Sequence, residues 1–106
     1  MNVEKRKMLL VFVDETDLWE ELPLYEAIVR RMMRLEVSGA TVQAGIMGFG
    51  SHAKVHRKRL FGVSDDRPIT ILAVDSEEKL RRVIPEIRSM IKEGLILLTD
   101  VEVVTG

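Results

Sequence analysis

"RPITILAVDSEEKL" (67–80) is the stretch that decides the fold. Ile69 to Val74 is an apolar run of strand length, too short for a helix. It stops at Asp75, after which Ser76 supplies a helix N-cap, with Glu77 and Glu78 at the positive helix end. A strand therefore turns straight into a helix. Within the strand, Ile69, Ile71 and Ala73 point one way while Leu72 and Val74 point the other. Strands buried on both faces read as continuous hydrophobic runs of this kind. One face needs a helix layer and the other needs a different cover.

Downstream, Leu80, Val83, Ile84, Ile87 and Ile91 form a helical stripe that Gly94 ends, and Pro85 inside it is expected to kink or divide the helix. Leu95 to Val104 closes the chain as a strand, with Val101 and Val103 inward and Asp100 and Glu102 outward. Upstream, Met8 to Val13 is a first apolar strand ended by Asp14. Pro23 suits a first helical turn. Leu24, Ala27, Ile28, Met32 and Leu35 then recur at helical spacing, with Glu26 four residues before Arg30. Gly39 stands where a helix stop belongs, and Val42, Ala44 and Ile46 alternate as a second strand. The order β-α-β-β-α-β predicts an α+β, ferredoxin-like sandwich: a four-stranded antiparallel sheet with two helices on one face. With 106 residues, one domain spanning 1–106 is expected. Its bare sheet face would be a large apolar patch, which monomers rarely expose. Other copies of the chain are the simplest cover.

Composition removes several classes. There is no cysteine, hence no disulfide framework and no thiolate metal site. A net charge of −1 argues against general attraction to nucleic acid or membranes. No apolar run approaches the ~20 residues of a membrane span, and Met8 to Val13 is too short for a signal-peptide core. A cytoplasmic protein, without nucleic-acid partners or membrane insertion, is expected. Charged residues make up 31 %, and Asn2 and Gln43 are the only side-chain amides, a composition that leans towards a heat-adapted source.

Candidate chemistry lies in two loops. The connection from Met47 to Arg67 is far longer than an ordinary hairpin loop of 2–5 residues. Gly48 and Gly50 permit close backbone approach and an anion-cupping nest, after which His52, Lys54, His56, Arg57, Lys58 and Arg59 supply charge. A solvated basic loop with turn glycines is the equal alternative. His52 and His56 are spaced to share a metal on a helix, but no third ligand is evident, so a structural or phosphate role ranks above metal. The acidic residues Asp14, Glu15, Asp17, Glu20 and Glu21 are compatible with Mg²⁺, with simple hydration, or with pairing to a neighbour's basic loop. Trp19 and Tyr25 read as packing anchors. Nucleophile and metalloenzyme motifs are absent, and Ser51 beside His52 has no orienting acid. Catalysis is not expected; the alternative is a metal-dependent enzyme using His52, His56 and the acidic 14–21 loop. A nucleic-acid binder would have only Phe49 and Phe61 near the basic run for stacking.

"PLYEAIVRRM" (23–32), "SGATVQAGIMGFGS" (38–51), "RPITILAVDSEEKL" (67–80) and "KEGLILLTDVEV" (92–103) together resemble the PII-like domain of unknown function 190, across essentially the whole chain. The link to the PII nitrogen-signalling proteins rests on the element order, on Thr41-Val42 through Gly48-Phe49-Gly50, and on the long loop. The resemblance implies a homotrimer with its sheets facing inward and an adenine nucleotide in the cleft between subunits. It also implies a regulatory role exerted through the 47–67 loop on a protein partner, such as a membrane transporter or a metabolic enzyme. The residues carried over are Thr41, Gly48, Phe49 and Gly50, extended by Ser51, His52, Lys54 and His56; no metal ligand and no required cofactor are implied, though Mg²⁺ is compatible. Three PII features are missing. Ser51 and His52 stand where PII has an arginine and then a glutamine after GFG, which removes a guanidinium from the phosphate site. Lys92-Glu93-Gly94-Leu95 replaces the GDGK phosphate loop, and no arginines follow the last strand. AMP or ADP is therefore expected over ATP.

Overall fold

The computed structural model describes residues 1–49, 55–57 and 67–106. In chain order the elements are β1 (Asn2–Asp14), β2 (Leu18–Trp19), β3 (Leu22–Pro23), α1 (Leu24–Arg34), β4 (Thr41–Ala44), β5 (Met47–Phe49), β6 (Val55–Arg57), β7 (Pro68–Asp75), α2 (Glu77–Met90) and β8 (Leu95–Thr105). The main sheet has the order β4-β7-β1-β8, with antiparallel neighbours throughout. This is the ferredoxin-like α+β arrangement.

The helix-facing side of the sheet is its core. Leu9, Val11 and Val13 of β1 and Ile69, Ile71 and Ala73 of β7 are buried together with Leu24, Ala27, Ile28 and Met32 of α1 and Leu80, Val83, Ile87 and Met90 of α2. Trp19 and Tyr25 pack against this cluster as half-buried anchors, as expected. The residues between, Met8, Leu10 and Phe12 on β1 and Leu72 and Val74 on β7, are only half-buried. Register pairs Leu10 with Leu72 and with Leu97, and Phe12 with Leu95. Those five side chains share the second face of the sheet, where Leu95 and Leu97 are 53 % and 41 % exposed.

Several local expectations are corrected. β1 starts at Asn2 rather than Met8, because Asn2 to Arg6 pairs with Val101 to Thr105. In that extension Val101 and Val103 lie opposite Arg6 and Glu4. They are half-buried while Asp100 and Glu102 are exposed, as expected, and they lie on the second face. β4 ends at Ala44, before Ile46, which is 86 % exposed. The helix α1 is stopped by Glu36 and not by Gly39. Glu36 adopts φ 63°, its N–H donates to Met33 O at 3.0 Å, and Val37 N–H donates to Met32 O at 3.0 Å. These two bonds are a Schellman motif with a non-glycine residue in the left-handed position. Pro85 lies inside α2, which continues undivided from Glu77 to Met90. The stripe of Leu80, Val83, Ile87 and Met90 buried in the core outweighs the single backbone bond that proline removes. The Glu26–Arg30 pair forms as its spacing required, with Arg30 Nε donating to Glu26 Oε2 at 3.0 Å.

Two polar clamps hold the segment after α1 to the junction of β7 and α2. Asp75, 8 % exposed, accepts from Ser38 N–H at 2.9 Å and Ser38 Oγ at 3.0 Å, and from Ser76 N–H at 2.7 Å. Burial pushes its carboxyl up, but these bonds and nearby Lys79 outweigh that and hold its pKa below the ordinary value. Lys79 Nζ also donates to Leu35 O at 3.3 Å. The segment leading into β4 is thereby tied to the start of α2.

Candidate functional site

The site begins where β4 leaves the sheet. The last paired residue of β4, Ala44, lies opposite Ile69, and the next backbone contact is Gly45 N–H donating to Pro68 O at 2.7 Å. From there the chain enters β5, which forms a short ladder with β6: Met47 opposite Arg57, Gly48 opposite His56 and Phe49 opposite Val55. The first half of the long connection is therefore not plain loop, since Met47 to Phe49 pair with Val55 to Arg57. The paired residues of β5 and β6 satisfy backbone groups of each other that open coil would leave to water.

Pro68 is the floor of this region. A Cβ on Gly45 would stand 2.7 Å from Pro68 Cγ, and one on Gly48 would stand 3.2 Å from it. Both glycines are thus explained by the close approach of the proline ring. Next to Pro68, Arg67 makes a two-pronged pair with Glu15: Nε to Oε2 at 2.6 Å and Nη2 to Oε1 at 2.8 Å. Glu15 N–H in turn donates to Arg67 O at 2.9 Å. The Glu15 hydrogen bond, then its charge, raises the Arg67 pKa above its ordinary value.

The acidic turn has an internal structural role. Asp17 Oδ2 accepts from Asp14 N–H at 3.0 Å, Asp17 N–H donates to Asp14 O at 3.0 Å, and Leu24 N–H donates to Asp17 O at 2.7 Å. These bonds fold the turn back onto the start of α1. Among the described residues no group of three or more His, Asp or Glu side chains is arranged to hold a metal ion.

Of the nucleotide residues expected from the sequence, the structure brings Gly48, Phe49 and the backbone of His56 together in the β5–β6 ladder. Phe49 is 76 % exposed. Thr41 is exposed and pairs with Leu72 at the far end of β4, about four residues or ~13 Å along the strand from Gly45. Gly50, Ser51, His52 and Lys54 lie outside the described residues. No local signal in the sequence marks the pairing of Glu15 with Arg67. It follows from the strand register: Asp14 lies opposite Pro68 across β1 and β7, so Glu15 and Arg67, one residue beyond that pair, meet.

Comparison with known proteins identifies the family. The model of the DUF190 family, described as "Uncharacterized ACR, COG1993", matches residues 6–103, and the chain belongs to this family. A UPF0166 protein of Aquifex aeolicus is 35 % identical over 104 residues, covering 98 % of each chain. A UPF0166 protein of Methanocaldococcus jannaschii is 38 % identical over 103 residues, covering 96 % of this chain and 94 % of the other. Among solved structures, CPII of Thiomonas intermedia K12 bound to ADP and bicarbonate superposes with a TM-score of 0.74 at 21 % identity, covering 96 % of this chain and 91 % of that one. The same protein bound to ADP, AMP and acetate gives 0.71 at 20 % identity, covering 99 % and 94 %. CPII is described as a nitrogen regulatory PII-like protein. At this identity the likeness establishes a shared PII-like fold. Among the described residues, no helix is long and apolar enough to cross a membrane.

Proposed function

We propose that this member of the DUF190 family is a non-catalytic, PII-like regulatory protein that binds an adenine nucleotide between subunits and acts on a partner protein through residues 47–67. The observation that carries the reading is the shared fold over 96 % of the chain with a protein whose structure holds ADP. The described part of the site is the free edge strand β4 with Thr41, followed by Gly48 and Phe49; Gly50, Ser51, His52, Lys54 and His56 complete it. The assembly is a trimer with the second sheet faces inside, which would bury Met8, Leu10, Phe12, Leu72 and Leu97. A ligand at the base of the connection shifts its conformations only by binding one of them better. The regulated protein is a membrane transporter or a metabolic enzyme, and the setting is the cytoplasm.

The preference for AMP or ADP over ATP has structural support. The link from α2 to β8 is short, and Gly94 within it is pressed against β1: a Cβ there would stand 2.6 Å from Phe12 O and 2.8 Å from Ile91 Cγ2. A segment held that closely is not a phosphate-cradling loop. Each extra phosphate needs paired donors, since unpaired buried charge is expensive. Calorimetric titration with AMP, ADP and ATP in one buffer, with and without Mg²⁺, tests this. ADP or AMP should bind more tightly than ATP. ATP binding more than tenfold tighter than both, ~1.4 kcal/mol, would overturn the preference, and no binding of any of the three would overturn the nucleotide reading.

A further inference from the structure

We infer that Glu15 is a positioning residue for the base of the long connection: acting through Arg67 and Pro68, it sets where Gly45 to Phe49 lie. Its functional consequence rests on the nucleotide reading; its structural content does not. The contacts run without a gap from the acidic turn to the site. Two parallel bonds, at 2.6 Å and 2.8 Å, fix the plane of the Arg67 guanidinium as well as its distance. The backbone bond from Glu15 N–H to Arg67 O at 2.9 Å fixes residue 67 itself. Pro68 follows with its φ locked by the ring. Its carbonyl accepts from Gly45 N–H at 2.7 Å, and its ring lies against Gly45 and Gly48 with space for no side chain on the first. A shift of Arg67 therefore moves the proline ring, and both glycines must follow.

The rival explanation is an ordinary surface ion pair. The two side chains are 36 % and 27 % exposed, and pairs of that exposure contribute little to global stability. Positioning and bulk stabilisation thus make different predictions. The test uses the full chain with Glu15→Gln, Glu15→Ala, and the charge swap Glu15→Arg with Arg67→Glu. Amide hydrogen exchange at Gly45 is followed by NMR, with Leu9 and Ile71 as internal references, beside ADP titration and thermal melting.

Glu15→Gln and Glu15→Ala should speed exchange at Gly45 while the reference amides and the melting point hardly move. ADP affinity should fall roughly three- to thirtyfold, the usual range for residues acting on a site through others. The charge swap should recover part of both losses. Gly45 exchange within twofold of the parent in both single variants overturns the inference. Faster exchange with unchanged ADP affinity overturns its link to the ligand. If Glu15→Ala fails to fold, Glu15→Gln decides. If the parent binds none of AMP, ADP or ATP, the nucleotide reading falls and Gly45 exchange alone judges the positioning.

Discussion

The two faces of the sheet carry the same kinds of residue and meet different fates. On the helix side, Leu9, Val11, Ile71 and Ala73 are at most 1 % exposed. One residue along each strand, Met8, Leu10, Phe12, Leu72 and Val74 remain half-buried, and Leu95 and Leu97 at the edge are more open still. Side chains alternate across a strand, so identical hydrophobicity is divided equally between a completed core and an uncovered surface. An apolar strand residue therefore reports that a cover is needed without saying whether the same chain provides it.

The largest expected effect is on the completed face. Ile71→Ala should lower unfolding free energy by ~2–5 kcal/mol in chemical denaturation, the cost of deleting a fully packed side chain that its surroundings cannot refill. Leu72→Ala, its neighbour on the second face, should cost a dissociated subunit far less. Similar losses at both positions in a monomer would erase the contrast.

Next is the polar border of the helix side. Asp75→Asn leaves donors of Ser38 or Ser76 without an acceptor, which should cost about 1–3 kcal/mol. Because the folded carboxyl pKa is lowered from the ordinary 3.8, its contribution is complete above that value and is lost as pH falls through the lower folded pKa. Urea midpoints measured from pH 6 downward should therefore drop less steeply in Asp75→Asn than in the parent.

On the second face the effect is on assembly. Leu72→Glu should disturb folding of the subunit by only ~1 kcal/mol or less, yet dissociate the proposed trimer by placing an unpaired charge in a dry interface. Light scattering at micromolar concentration reads the assembly, and urea unfolding reads the stability of the subunit. A parent that is already monomeric, or a variant that stays trimeric, would count against inward-facing sheets.

The smallest effect sharpens the helix side further. Glu36 is in the left-handed region at φ 63°, where a side chain is strained by ~1–2 kcal/mol. Glycine removes that strain but gains freedom when unfolded, so Glu36→Gly should stabilise by roughly 0.5–1 kcal/mol. An unchanged melting curve would mean the position carries no strain.

Much of this is readable in the sequence. The six main elements followed from periodicity and punctuation: Ser76 does cap α2, accepting from Lys79 N–H at 3.2 Å, and the two-sided strands do leave one face uncovered. Element ends were less legible. Nothing local in Glu36 marks it as a helix stop, because its conformation is imposed by the following chain being held through Ser38 on Asp75. The candidate site was legible as a glycine-containing segment but not as a geometry, since Gly45 and Gly48 owe their small size to Pro68, some twenty residues away.

By itself the sequence determined the class of fold, the family and the demand for a cover on the second face, because hydrophobic period and residue type are properties of the chain read in order. Tertiary structure alone decided that Pro85 leaves α2 undivided, that the acidic turn closes on itself, and that Glu15 reaches Arg67 at the foot of the connection. Those outcomes depend on which strands lie side by side. Once β1 and β7 pair with Asp14 opposite Pro68, residues far apart in sequence become neighbours, and their distances rather than their identities set what the site is built from.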